Sequence, residues 1–313
     1  MASEMTIAHL SDPHIAFALP RRRDLIGKRA LTRLSWKRRR GALHRRDLAD
    51  ILCADCLAAR PDFIAVTGDI VNFALESEFA ASRRWLETLG SANRVAVVPG
   101  NHESLVSGME EVMHHHWRGY LGGDADEVAV SFAFPWSRRF AAFEVEIIGV
   151  SSAVTTLPLL ASGRVGVRRM ARLEQLLSRP APGWCRVVLI HHPPSDITGA
   201  RKALSDRHAL ADLLLRHRIQ LVLHGHLHRD ILSQIGNGGG VPVLGVPSLT
   251  IPHEAAKQAA AWRSITLSRN EAGAWRAQTE LHTITEGGDV RETSRTVLDL
   301  PEGPQAQASV AHR

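Results

Sequence analysis

Five short apolar runs in this chain each end in side chains that bind metals or move protons. Thr6–Leu10 runs into Ser11-Asp12-Pro13-His14, and Phe63–Thr67 runs into Gly68-Asp69. Arg94–Val98 leads to Pro99-Gly100-Asn101-His102-Glu103. Val187–Ile190 leads to His191-His192-Pro193-Pro194, and Leu221–Leu223 to His224-Gly225-His226-Leu227-His228. Short apolar runs rich in Val and Ile, closed by Gly or Pro, read as buried strands. A strand is rigid, and the loop at its C-terminal end faces the ligand. One Asp-x-His or Gly-Asp is common by chance, but five such loops separated by helical stretches are not.

The intervening stretches carry helix patterns at 47–60, 75–89, 104–126, 166–178 and 203–217. Further strands are predicted at 128–134, 140–150, 241–246, 265–267 and 275–285, with the glycine-rich 236–240 as a hairpin turn. That turn lacks phosphate-loop spacing. We expect one domain over 1–299 with a basic helical insertion at about 17–46, and a disordered tail at 300–313. Strands 128–150 also offer an edge for a homodimer.

Charge is concentrated in one place. Residues 21–46 hold twelve Lys or Arg against the single acidic Asp24, on a chain whose total is +6. The basicity belongs to this segment, and the rest of the chain is net negative. Leu25, Ile26, Leu31, Leu34 and Trp36 interleave with the basic residues at helical spacing, as in a basic amphipathic helix. A solvated helical insertion is the plainest expectation. An anionic membrane surface is the next, and nucleic acid comes last, because Trp36 is the only aromatic among the basic residues.

No apolar run approaches the roughly 18 residues that span a bilayer. Met1–Met5 have no basic n-region or apolar h-region, so no secretory leader is expected. Three cysteines cannot build a disulfide framework. The expected compartment is the cytoplasm, with the inner membrane face as a peripheral location. Cys53 and Cys56 stand at i, i+3 in a helical stretch with no second pair, and are expected to be packing residues. His114-His115-His116 point in different directions on a helix and are not expected to share one ion.

The strand-end groups Asp12, His14, Asp69, Asn101, His102, His191, His226 and His228 offer carboxylate, amide and imidazole donors with no thiolate. That set suits divalent Mn, Fe, Zn or Co. It is too large for one ion and fits a two-metal site that clamps both oxygens of an in-line phosphoryl displacement. Alternation along an extended backbone puts both side chains of Asp12-x-His14 and of His226-x-His228 on one side.

The ordered set Asp12-x-His14, Gly68-Asp69, Gly100-Asn101-His102-Glu103, His191 and Gly225-His226-x-His228 resembles the calcineurin-like metallophosphoesterase signature over about residues 5–250. The motifs are most similar to those of class III cyclic nucleotide phosphodiesterases and related bacterial enzymes. The resemblance implies an α/β fold, a four-layer α/β/β/α sandwich. It implies that Asp12, His14, Asp69 and His228 hold one metal, and Asp69, Asn101, His191 and His226 the other, with Asp69 bridging. His191 is the implied ligand of the His191-His192 pair, and His192 orients it or faces substrate. His102 would contact the phosphate and protonate the leaving group, with Glu103 orienting His102. The implied reaction is attack on phosphorus by a metal-bridging hydroxide, on a diester in preference to a monoester. Purple acid phosphatases carry a metal-bound Tyr where this chain has Asn72, so an iron–tyrosinate site is not expected. Two rival readings stand beside this one. One is a membrane-surface nucleotide-sugar or lipid pyrophosphohydrolase, and the other a basic nucleic-acid-binding protein with a structural metal centre.

Overall fold

The computed structural model describes residues 4–15, 17, 19–122, 134–252 and 258–303. In chain order, β1 is Met5–Leu10, and the basic segment follows with α1 (Lys28–Ser35), a π-helical turn (Trp36–Arg40) and the short α2 (Gly41–Leu43). Then come α3 (Arg46–Ala58), β2 (Phe63–Val66), α4 (Glu76–Leu89), β3 (Val95–Val97) and α5 (Met109–Trp117). The second part holds β4 (Trp136–Phe140), β5 (Val145–Gly149), α6 (Val167–Leu177), β6 (Cys185–Ile190), α7 (Arg207–Arg216) and β7 (Leu221–His224). It closes with β8 (Ile231–Ile235), β9 (Val241–Gly245), β10 (Ala261–Arg269), β11 (Trp275–Ile284) and β12 (Val290–Asp299).

Two six-stranded sheets result, in the orders β12-β11-β10-β1-β2-β3 and β4-β5-β6-β7-β9-β8. In the first, β1, β2 and β3 run parallel. In the second, β5, β6, β7 and β9 run parallel. The period-two rule explains the layering. On β6, Val187 and Leu189 join the large core between the sheets, while Val188 and Ile190 pack with Leu173, Leu177, Leu210 and Leu214 of α6 and α7. Leu48 and Leu52 of α3 and Phe79 and Leu86 of α4 pack on the other sheet. Helices thus cover both outer faces, which is the four-layer α/β/β/α arrangement. Strands buried on both faces must be apolar throughout, which is why the five runs lack strict alternation.

The hairpin in the middle of the chain differs from expectation. Trp136–Phe140 pairs with Val145–Gly149, so the expected strand 140–150 is split by a turn. The expected strand 128–134 lies outside the described residues but for its last residue. β8 and β12 had not been anticipated, for β12 is an edge strand whose side chains are mostly solvent-facing and polar. Leu300 is buried and its N–H donates to the Trp275 carbonyl, so the chain stays attached at the start of the expected tail. Residues 304–313 lie outside the described residues. Cys53 and Cys56 are buried on α3 as packing residues, and burial pushes the Cys53 thiol up to about 12. No helix among the described residues is long and apolar enough to cross a membrane.

Candidate metal centre

Parallel strands point their C-terminal ends the same way, so the loops after β1, β2, β3, β6 and β7 meet at one edge of the two sheets. The backbone there is strained. Asp12, His14, Asp69, His226 and His228 all have positive φ, half of the ten non-glycine residues that do among those described. Side chains at positive φ cost free energy that the surroundings must supply, and such residues gather at functional sites. Two glycines permit the close packing. A Cβ on Gly68, whose φ is 89°, would stand 2.5 Å from the Gly100 nitrogen and 2.9 Å from His191 Nδ1. One on Gly225 would collide with the Ser11 hydroxyl and come within 2.7 Å of Asp12 Oδ2.

The loops bring the candidate ligands together. His228 Nε2 lies 3.1 Å from Asp12 Oδ1 and 3.3 Å from His14 Nε2. Asp69 Oδ2 lies 3.7 Å from His14 Nε2 and 3.4 Å from His191 Nε2. Asp69 therefore stands between two groups of donors, Asp12 with His14 and His228 on one side and His191 on the other. His226 joins through its ring, 5.1 Å centroid to centroid from His191. Asn101 is buried in the loop after β3, where its Oδ1 has no hydrogen-bond partner.

Four of the candidate ligands are aimed by a second contact. The Thr67 carbonyl, 2.6 Å from His191 Nδ1, accepts its N–H and leaves Nε2 toward Asp69. The Lys202 carbonyl does the same for His226 Nε2 at 3.0 Å. Asp12 Oδ2 accepts from the Ser11 hydroxyl at 2.7 Å and the His226 N–H at 2.9 Å, so only Oδ1 remains. Asp69 Oδ1 accepts the His102 N–H at 2.7 Å, leaving Oδ2 for the centre. Such partners fix tautomer and orientation in metal sites. Asp12 Oδ1 and His191 Nε2 are buried without a hydrogen-bond partner, as is Asn101 Oδ1. Buried polar atoms left unpaired are costly unless something completes them. Oxygen and imidazole donors left over in this pattern fit a divalent cation, and groups of three or more such residues lie within metal-binding range of one another.

The electrostatics agree. Burial alone would raise Asp12 and Asp69, but His228 holds Asp12 below the usual carboxylate range and His191 holds Asp69 well below it. Burial drives His14 well below the imidazole range, with His44 and His102 adding to the effect, and it drives His226 down as well. These rings are neutral, the form that binds metal. His191 is the exception. Burial would lower it, but Asp69 outweighs that and pushes it up to about 10.

His192 is close enough to His191 and His226 to count as a donor by distance. Its ring nitrogens are already engaged, Nδ1 with Ser152 Oγ at 2.8 Å and Nε2 with the Ala161 carbonyl at 3.1 Å. The hydrogen bonds outweigh mere proximity here, and His192 buttresses the site. Glu103 braces a loop. Its carboxylate accepts from the N–H groups of Asp69, Ile70, Val71 and Gly100 at 2.7–3.1 Å. It shapes the Asp69 loop. The Asn72 carbonyl, 2.8 Å from His102 Nδ1, orients the His102 ring. Asn72 stands where the purple acid phosphatases carry their Tyr. Its side-chain amide donates to the carbonyls of His14 and Ile15, which ties two site loops together.

One residue at the site had gone unread. His44, at the end of the basic segment, stacks on Trp36 and lies 4.6 Å from the His14 ring, with Nδ1 2.8 Å from Thr250 Oγ1. It stands thirty residues after His14 with no motif around it, so no signal in the sequence marks it.

Comparisons with known proteins agree with this geometry. The family model described as calcineurin-like phosphoesterase matches residues 5–230. A Synechococcus protein named a probable cyclic nucleotide phosphodiesterase is 22% identical over 223 residues, covering 70% of this chain and 76% of its own. An Arcobacter nitrofigilis protein named a probable glycerophosphodiester phosphodiesterase is 26% identical over 187 residues, covering 57% of this chain and 61% of its own. The matched segment thus spans less than two thirds of the second relative. Among solved structures, a dimetal phosphatase of Danio rerio shares the fold with a TM-score of 0.55 and 14% identity, over 94% of this chain and 98% of that one. Five strand-end loops meeting on one cluster of carboxylates and imidazoles, within a family match that spans most of the chain, lead to one conclusion: this chain belongs to the calcineurin-like phosphoesterase family of phosphoric ester hydrolases.

Proposed function

We propose that the chain is a phosphodiesterase working with two divalent ions. The observation that carries this is Asp69 Oδ2 between His14 Nε2 and His191 Nε2, with donors left over on both sides. Asp12, His14, Asp69 and His228 would hold one ion, and Asp69, Asn101, His191 and His226 the other. Bound there, the ions would activate water for in-line attack on phosphorus and neutralise phosphoryl charge. The chain's own residues do the rest. His102, its Nδ1–H donated to the Asn72 carbonyl, would meet the phosphoryl group or the leaving oxygen with its ring. Glu103 contributes no proton transfer; it holds the loop that carries Asp69.

The names of both relatives favour a diester over a monoester substrate. The test compares bis-(p-nitrophenyl) phosphate with p-nitrophenyl phosphate, using chelated protein reloaded with Mn and an Asp69→Asn control. Metal-dependent cleavage of the diester, absent from the variant, is the expected result. A strong preference for the monoester would overturn the substrate class. Activity that survives chelation would overturn the metal centre.

A further inference from the structure

The basic segment folds inside out. On α1 the charged residues turn toward the protein. Lys28 Nζ donates to Thr156 Oγ1 at 2.6 Å and to the Leu160 carbonyl at 3.0 Å. Arg29 donates to the carbonyls of Phe73 at 3.0 Å and Ala74 at 2.6 Å, and Arg33 to that of Pro20. Leu31 and Leu34, one helical turn apart, each remain 46% exposed. Ile26, just before the helix, is 78% exposed. The Lys28 bonds tie the start of α1 to the loop carrying Leu157 and Leu159, which are 73% and 76% exposed. Single exposed leucines are ordinary. A helix that spends its cations on internal carbonyls and turns its leucines outward is not, because it leaves in water apolar area that the opposite orientation would cover.

This rim borders the metal centre. Arg29 grips the chain just after the Asp69 loop, and the Ala161 carbonyl next to Leu160 engages His192. Trp36 packs on Phe73 and Leu75 and stacks on His44, which touches His14. In the chain the leucines are flanked by the exposed cations Arg21, Arg22 and Arg23 before them and Lys37 and Arg38 after them, with Asp24 the only acidic residue of the segment. An apolar strip edged by cations matches the boundary between headgroups and acyl chains of an anionic bilayer.

We propose that this rim docks the protein on an anionic lipid bilayer, so that the metal centre opens onto the headgroup layer and takes a phosphoester presented there. The second half of that statement rests on the phosphoesterase reading, whereas docking itself is measured without catalysis. Full-length protein is sedimented with vesicles of equimolar phosphatidylglycerol and phosphatidylcholine, and with phosphatidylcholine alone. Binding to the anionic vesicles is expected, with little to the neutral ones. The pair Leu31→Ser and Leu34→Ser should weaken it about tenfold through lost apolar burial. Arg22→Gln with Arg23→Gln should weaken it about fivefold per charge. Thermal melts of each variant separate lost docking from lost folding. Absence of vesicle binding overturns the proposal. So does binding that ignores the leucine changes, which is adsorption by charge alone, and so does tight nucleic-acid binding that vesicles fail to displace. A chain that binds vesicles but cleaves no phosphoester would sink the phosphodiesterase reading and leave the docking surface standing.

Discussion

The strand-end cluster and the basic segment are the two regions richest in titratable side chains, and the protein treats them in opposite ways. In the cluster the charges are buried, and Asp12, Asp69, His191 and His226 each have a partner that aims them. Asp12, Asp69 and His191 rest on loops that each follow a core strand, β1, β2 and β6, and the strain of positive φ at Asp12 and Asp69 is balanced by burial. In the basic segment Lys28, Arg29 and Arg33 of α1 are held by backbone carbonyls, while Leu31 and Leu34 face outward. One region stores free energy to hold a geometry. The other leaves apolar area uncovered. Packing alone explains neither, and the occupants proposed for them are a divalent cation in one case and a lipid surface in the other.

Breaking the cluster should cost most. Asp69→Asn removes the carboxylate facing both donor groups, and the fall in diester turnover should exceed the roughly 10- to 100-fold typical of losing an orienting partner. Bound metal, read by elemental analysis, should fall with it. His102→Ala leaves the donors intact and should lower kcat by about 10²- to 10⁴-fold, the usual range for a lost general acid, with metal content unchanged. His44→Ala sits on the boundary between the two regions. It should weaken metal binding about tenfold through the His14 ring, measured by titration calorimetry with Mn. Retained affinity would show that the segment is independent of the site.

The His191–Asp69 pair sets a pH dependence. In the metal-free protein Asp69 pushes the His191 pKa up to about 10 from an ordinary 6.5. A raised pKa means stability that is fully present below about 6.5 and lost as pH rises through about 10. Metal-free protein should therefore melt at progressively lower temperature across that range. Metal-loaded protein, its imidazole already unprotonated, should not, and loading should release a proton at neutral pH. The smallest effect belongs to the rim. Leu31→Ser should change stability by less than about 0.5 kcal/mol, as at other exposed positions. A core-sized loss would show that the leucine is covered, and would remove the ground for docking.

Much of the site was legible before the fold. Asp12, His14, Asp69, Asn101, His191, His226 and His228 stand at the ends of apolar runs, and the structure brings their loops to one edge of the sheets. The helices at α3, α4, α6 and α7 were legible from their periodicity for the same local reason. β12 was not, because on an edge strand most of whose side chains are exposed the apolar pattern is too thin to show. The contacts of Glu103 to the N–H groups of the Asp69 loop were not legible, because those groups lie more than thirty positions away in the chain.

The chain by itself determined which residues form rigid strands and what chemistry waits at their ends, because burial on both faces demands continuous apolar runs and their termini are local signals. Only the tertiary structure decided that loops from two sheets share one centre, that Asp69 stands between His14 and His191, that His44 reaches them, and that Leu31 and Leu34 look outward. Those outcomes depend on distances between segments far apart in the chain. Such distances are set by how two sheets and a pinned helix pack, and local sequence does not encode that.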